Sequence, residues 1–467
     1  MSFHNYSMSR LYDKGNLTEG GITVTMLRFA LPLMLGNLLQ QCYNIADTLI
    51  VGRVLGPDAL AAVGSSYALI VFVTSVFIGL CMGCSALFSI HYGARDLKAL
   101  RRSVYSSMLI IGGTTLVLNA AALIFLNPII RLMQTPAEVE RLTYDYLFVT
   151  FCGMVPVCVY NFYAFLLRAI GNSVVPLVFL GVSVVLNIAL DLTLILSMGM
   201  GVEGAALATV AAQTVAAAGL YIYTRRRYPE LNLTRADCKT DMESLRRVSS
   251  WSFLTCLQQS VMNFGILMVQ GLVNSFGTSV MAAFAAAVKI DSFAYMPVQD
   301  FGNAFSTFIA QNFGAGRAGR IRRGIRSAVI VTTLFSLAVS ALVFWLSPWL
   351  MSLFVSEAES GIIDIGVEYL RIEGSFYVGI GWLFLLYGLY RAVALPSMSV
   401  VLTVVSLGTR VALAYALAAI PSVGYTGIWW SVPIGWALAD IIGLWYYRRR
   451  RDTLMSFGGC GRTAPKN

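Results

Sequence analysis

Five uncharged stretches constrain this chain more than anything else in it. Ala59–Ile90, Ser103–Ile130, Gly204–Thr224, Val248–Val288 and Ser327–Ser356 contain no Asp, Glu, Lys or Arg. Each matches or exceeds the roughly 20 residues that an α-helix needs to cross a bilayer. Val248–Val288 is long enough to hold most of two crossings, broken near Asn274–Thr278. A composition that is 57% hydrophobic and 12% charged, with mean hydropathy +0.72, rules out a soluble protein. The pattern predicts twelve helices, at 23–51, 58–90, 102–127, 142–167, 172–198, 203–224, 247–273, 279–308, 325–347, 366–390, 395–420 and 426–447. The first twenty residues are polar, so the first span is expected to act as the insertion signal.

A net charge of +10 raises the question of nucleic acid, and its placement answers it. Lys and Arg gather in the N-terminal segment and in alternate loops: Arg95–Arg102, Arg168, Arg225–Arg247, Arg317–Arg326, Arg391 and Arg448–Lys466. The loops between them hold few bases, and Glu357–Glu373 is mainly acidic. The positive-inside rule then puts both termini in the cytoplasm, with Arg235 and Arg320 inside and Glu357 outside. The expected partner is a lipid bilayer, that of a bacterial inner membrane, and not nucleic acid. The eight cysteines are scattered, and Cys81-x-x-Cys84 lies in an apolar helix without a second pair, so it reads as packing. His4 and His91 are the only histidines, too few for a histidine-based metal centre. With no sizeable soluble domain either, an integral-membrane enzyme is disfavoured and no cofactor is expected.

The second half repeats the first. Leu39-Gln-Gln41 returns as Leu257-Gln-Gln259, Asn44 as Asn263, Ala61-Ala62 as Ala282-Ala283, and Gly93-Ala94 as Gly314-Ala315. Arg101-Arg102 matches Arg322-Arg323, and Asp145-Tyr-Leu147 matches Glu368-Tyr-Leu370. Arg168-Ala169 matches Arg391-Ala392, and Gly201-x-x-Gly204 matches Gly424-x-x-Gly427. The expected fold is an all-α integral membrane protein, with twelve transmembrane helices in two six-helix lobes related by a parallel repeat. The expected division is a cytoplasmic N-terminal tail 1–22, an N-terminal lobe 23–224, a cytoplasmic linker 225–246, a C-terminal lobe 247–447 and a basic cytoplasmic tail 448–467.

Few polar groups sit inside the spans, and each is costly there unless it faces a partner or a wet cavity. On the first helix Asn37, Gln40, Gln41, Asn44, Asp47 and Thr48 step by three and four, so they share one face. Pro32 interrupts that helix upstream and is expected to kink it. Asn187 and Asp191 share a face of the fifth helix, Thr209 and Gln213 pair on the sixth, and Tyr146 and Asn161 add polar groups to the fourth. The repeat maps position 47 near Ile266, 187 near Arg410 and 191 near Ala414, so these acids belong to the first half alone. Lys289, Asp291 and Arg410 are possible second-lobe contacts, with Arg410 expected to meet an acid from another helix. Asp300 and Asp440, nearer helix ends, are expected to be solvated. Oxygens of this kind suit a hard cation such as sodium, and the same carboxyls would serve protons.

Pro32, Leu38-Leu-Gln, Tyr43-Asn-x-x-Asp47, Val51-Gly-Arg53, Leu60-Ala-Ala-Val-Gly64, Gly93-Ala94 and Gln311-Asn-x-Gly-Ala315 resemble the multidrug and toxic compound extrusion (MATE) family. The resemblance runs from about Gly21 to Arg450. It implies alternating access and antiport, with amphipathic, often cationic, small molecules leaving as protons or sodium ions enter. Asp47, Asn187, Asp191 and Thr209 are similar to the first-lobe cation site of the DinF-type branch, where Tyr146 and Asn161 match neighbouring positions. NorM-type members couple through an acid on the seventh helix; Arg247–Val273 has none, which argues against second-lobe coupling. A monomer is expected. The rival within transport is a flippase for a lipid-linked precursor, disfavoured because only Lys289 and Arg410 lie mid-span as bases for phosphate.

Overall fold

The computed structural model describes residues 16–456 apart from 134, 236, 239–241, 357 and 358. Glu357, most of the N-terminal tail and the end of the basic tail lie outside the described residues. The helices are α1 Ile22–Val54, α2 Pro57–Gly93, α3 Leu97–Ile124, α4 Leu126–Leu132, α5 Ala137–Cys152, α6 Met154–Ala169, α7 Val174–Asp191 and α8 Val202–Arg227. After the linker follow α9 Met242–Asn274, α10 Thr278–Gly314, α11 Ala318–Ser352, α12 Ser360–Gly374, α13 Tyr377–Ala392, α14 Pro396–Ala418 and α15 Thr426–Ser456. Ten of the crossings, among the described residues, are helices long and apolar enough to span a membrane. Two more are broken spans, α5–α6 bent by 46° and α12–α13 bent by 51°, which brings the number to twelve. The first bend has a local cause: Pro156 has no N–H to give the Cys152 carbonyl, so the helix cannot run straight through Gly153. By contrast, α1 runs without a break through Pro32.

The repeat is written into the backbone as well as the sequence. Gly56 and Gly277 precede the second helix of their halves with φ of 89° and 96°. Arg95 and Gly316, at 57° and 67°, end those same helices, and Gly171 and Ala394, at 87° and 66°, follow α6 and α13. Left-handed backbone is costly for Arg95 and Ala394, so its return at matching places reflects a shared turn geometry and not residue preference.

The chain forms two compact units. One contains Leu31–Cys256 and is built around Leu80, Phe88, Phe162, Leu166 and Leu220. The other contains Leu17–Ala30 and Leu257–Asn467, around Phe284, Tyr369 and Trp429. Lipid is as apolar as leucine, so helices in a membrane associate by close packing of small residues more than by hydrophobic burial. In the first unit Gly79 and Gly83, four apart on α2, meet the backbone of α9. A Cβ at Gly79 would lie 2.6 Å from the Cys256 Cα, and one at Gly83 2.7 Å from both the Ser252 Cα and the Trp251 carbonyl oxygen. In the second unit Gly388 approaches the Gly302 carbonyl in the same way, at 2.7 Å.

The linker is tied down by Asp237, whose carboxylate accepts from the Thr234 amide (3.0 Å) and hydroxyl (2.5 Å) and pairs with Arg101 at 3.3 Å. Burial alone would raise the Asp237 pKa, but the two Thr234 hydrogen bonds and the charges of Arg101 and Arg102 outweigh it and hold it below the ordinary 3.8. A depressed carboxyl contributes stability above its unfolded value and loses it as pH falls through the folded value, so the tether is complete at neutral pH. Asp237→Asn should speed tryptic cleavage after Arg235 about threefold at pH 7, since local opening sets access. An unchanged cleavage rate would show that the turn holds without the carboxylate.

Candidate functional site

Within the first unit, helices α1, α5, α7 and α8 bring together Asp47, Tyr146, Asn187, Asp191 and Thr209. Asp47 is 9% exposed, Asn187 2% and Asp191 0%. The carboxyls of Asp47 and Asp191 lie close enough to act on one another electrostatically. A carboxylate only accepts, so the Asn187 amide turns its nitrogen toward Asp191 Oδ2, at 2.9 Å. Its oxygen then accepts from the Thr209 hydroxyl at 3.2 Å and the Thr209 amide at 3.1 Å. Thr209 thereby uses its one proton, which leaves the Tyr43 hydroxyl to donate to Thr209 Oγ1 at 3.0 Å. Oδ1 of each acid is buried with no hydrogen-bond partner among the described residues. Tyr146 is buried within electrostatic reach of both acids and of Tyr43.

A small open cleft lies beside this network, lined in part by Gln40, Tyr43, Ser183, Asn187, Thr209 and Gln213. Gln40 donates to Asn44 at 3.4 Å along the polar face of α1. Tyr43 is the member that the polar-face argument passed over, although it stands in the Tyr43-Asn-x-x-Asp47 motif. Asn161 does not join the network: its amide donates to the Val157 carbonyl of its own helix at 2.9 Å. Another local feature was not legible from periodicity. Directly after Asp191 the chain widens into a π-helical turn, Leu192–Ser197, a distortion that recurs at functional sites.

The second unit holds a second group of acids. Asp291 of α10 is 5% exposed and Glu373 of α12 is 1% exposed, and each acts electrostatically on the other. Tyr369 donates to Glu373 Oε2 at 2.8 Å and packs edge-on against Trp429, ring centroids 5.0 Å apart. Arg410 of α14 acts electrostatically on both acids without closing an ion pair to either. Lys289 is exposed and takes no part. The seventh span contributes no acid to this group; α10 and α12 do. Asp300 and Asp440 are also buried, at 4% and 6%, against the expectation of solvation. The helices run further than hydropathy suggested, to Gly314 and Ser456, which leaves both aspartates well inside them.

The MatE family profile matches residues 32–193 and 252–416. The "Probable multidrug resistance protein YpnP" of Bacillus subtilis is 28% identical over 95% of this chain and 98% of its own length. "Multidrug export protein MepA" of Staphylococcus aureus is 25% identical over 92% of this chain and 94% of its own. Among solved structures, a MATE protein in complex with MaL6 superposes with TM-score 0.88 at 24% identity, covering 94% of this chain and 99% of that one. A MATE protein in its bent conformation gives 0.87 at 23% identity, covering 97% and 99%. Two matched segments that each hold one copy of the repeat, on a fold shared along nearly the whole length, place this chain in the MatE family of membrane transporters and not among enzymes.

Proposed function

We propose that this protein is a secondary antiporter that exports amphipathic, cationic compounds by alternating access, in exchange for ions entering the cell through Asp47 and Asp191. The observation that carries the proposal is the meeting of two buried carboxyls from different helices of one unit, each with an oxygen left unpartnered. The relatives named for multidrug resistance and export support drug-sized substrates. The hydrogen-bond pattern favours a proton as the coupling ion. Two carboxyls buried within electrostatic reach of each other resist full ionisation, and a proton on one of them relieves the repulsion. A hard cation such as sodium wants a shell of oxygens, and here the Asn187 and Thr209 oxygens are already engaged with each other and with Tyr43. Sodium would have to draw them away.

An ion shifts the inward- and outward-open states only by its different affinity for the two. Loss or gain of a proton at the Asp47–Asp191 pair changes the charge in the first unit beside the cleft, and a cationic substrate there senses the same charge. The proposal includes a flexible point at Pro32, which lies two residues after the second unit's share of α1 ends.

Purified protein in liposomes should move a fluorescent organic cation against a proton gradient. Flux driven by sodium alone would overturn the choice of ion, and no flux under either gradient would overturn the antiporter. The proposed topology has both termini in the cytoplasm. Single cysteines at Arg235 and Arg320 should stay unlabelled by an impermeant reagent in intact cells; labelling of either would sink it.

A further inference from the structure

The segment just before α1 is held along its main chain by side chains of the second unit. Leu17 donates its amide to Gln311 Oε1 at 3.1 Å, and Asn312 Nδ2 returns a bond to the Leu17 carbonyl at 3.3 Å. Arg317 donates to the Thr18 carbonyl at 2.5 Å. Arg320 reaches three carbonyls, Leu17 at 3.3 Å, Glu19 at 2.6 Å and Gly20 at 2.7 Å, while Arg317 also pairs with the Glu19 carboxylate at 3.6 Å. Four successive backbone carbonyls are thus gripped by three side chains. Leu17 and Thr18 are 5% and 6% exposed although they precede the helix. The grip itself is braced: Gln311 and Asn312 are fully buried, and Arg320 lies over the Phe308 ring at 5.4 Å. A Cβ at Gly324 would strike that ring at 2.5 Å, so the glycine leaves room for it. In the first turn of α1, Thr23 and Ser327 hydroxyls meet at 2.7 Å.

Charge-assisted bonds to carbonyls are about twice as strong as neutral ones, and here they recognise main chain, so they fix position and not sequence. Leu17–Ala30 belongs to the second unit, whereas the remainder of α1, including Asp47, belongs to the first. We propose that Gln311, Asn312, Arg317 and Arg320 form a permanent clamp that anchors the start of α1 to the second unit, and so act as positioning residues for Asp47. The clamp stays closed through the cycle, and conformational change is taken up in α1 beyond Ala30. This rests on the antiporter reading for its transport consequence, but not for its structural one.

The structural consequence is read at Cys42, an exposed thiol five residues before Asp47, kept as the sole cysteine. In the Arg317→Met, Arg320→Met double variant, alkylation of Cys42 should change about tenfold, as the helix loses its fixed start. Export turnover should fall about tenfold with substrate affinity nearly unchanged, the mark of a conformational and not a binding defect. Arg320→Lys, which restores charge without the three-way reach, should lie between. In a cysteine-free background, a disulfide between Thr23→Cys and Ser327→Cys, whose native hydroxyls meet beside the clamp, should leave turnover intact. A stalled cross-linked protein would show that the clamp must open and would overturn the proposal. So would unchanged Cys42 alkylation in the double variant. If the native protein exports nothing under any gradient, the antiporter reading fails while Cys42 still decides the clamp; should the double variant not fold, Arg320→Lys and the cross-link decide it.

Discussion

Asp47→Asn and Asp191→Asn should each reduce gradient-driven export by about two orders of magnitude, because a site that no longer changes charge cannot bias two states. Both substitutions keep shape and burial, so the proteins should fold and still bind substrate in the absence of a gradient. The two acids are not equivalent in what they leave behind. In Asp191→Asn the Asn187 amide loses a charged acceptor and keeps a neutral one, so the Thr209 bonds should survive. In Asp47→Asn the remaining Asp191 still accepts from Asn187. Thr209→Ala removes two neutral hydrogen bonds, those with Asn187 and Tyr43, and should stay within about fivefold of the native rate if the ion is a proton. A collapse comparable to the aspartate variants would instead mark Thr209 as a sodium ligand. The measurement is initial efflux rate in liposomes at matched protein. Near-native, gradient-dependent efflux in either aspartate variant would defeat coupling at this pair.

Gly83→Leu should remove the folded protein altogether. A Cβ at that position already lies 2.7 Å from the Ser252 Cα and the Trp251 carbonyl, and both are backbone atoms in a packed helix that cannot rotate aside. Relief requires α2 and α9 to part. That breaks the Cys84–Ser252 contact at 3.0 Å and opens the first unit's core beside Leu80 and Phe88. Overpacking of this kind costs about 3 kcal/mol where side chains can yield, and here they cannot. Size-exclusion profile and thermal stability in detergent are the readouts. Gly112→Leu on α3 is the control, since nothing lies within 4 Å of its Cβ position. A monodisperse, stable Gly83→Leu protein would show that the crossing is looser than described.

The helices and the repeat were legible because both depend on patterns that one strand of text records: uncharged length, and the same short words in the same order. The Asp47 and Asp191 faces were legible for a related reason, since a carboxylate inside an apolar helix is expensive wherever it points. What sequence could not supply was who meets whom. Asn161 looked like Asn187, but a side chain able to bond the carbonyl four residues back can satisfy itself on its own helix. The Asp291–Glu373 pair joins two helices with no motif between them, so nothing in either segment announces the other. Asp300 and Asp440 were misplaced by helix length alone, because polar residues continued α10 and α15 past the point where hydropathy fell. The widened turn after Asp191 leaves no periodic trace.

The close crossing of α2 over α9 also sets an order of events during synthesis. The first unit is not finished when its own six spans have been made. Gly79 and Gly83 present a bare strip whose covering helix is encoded beyond the linker, so that strip must wait in the membrane until Trp251–Cys256 emerge. The converse holds for Leu17–Ala30, made before almost everything else and claimed by a unit whose remaining residues start at Leu257. Neither half is therefore a module that a ribosome can complete and leave behind. Insertion can proceed span by span, but closure of either unit awaits the other half of the message.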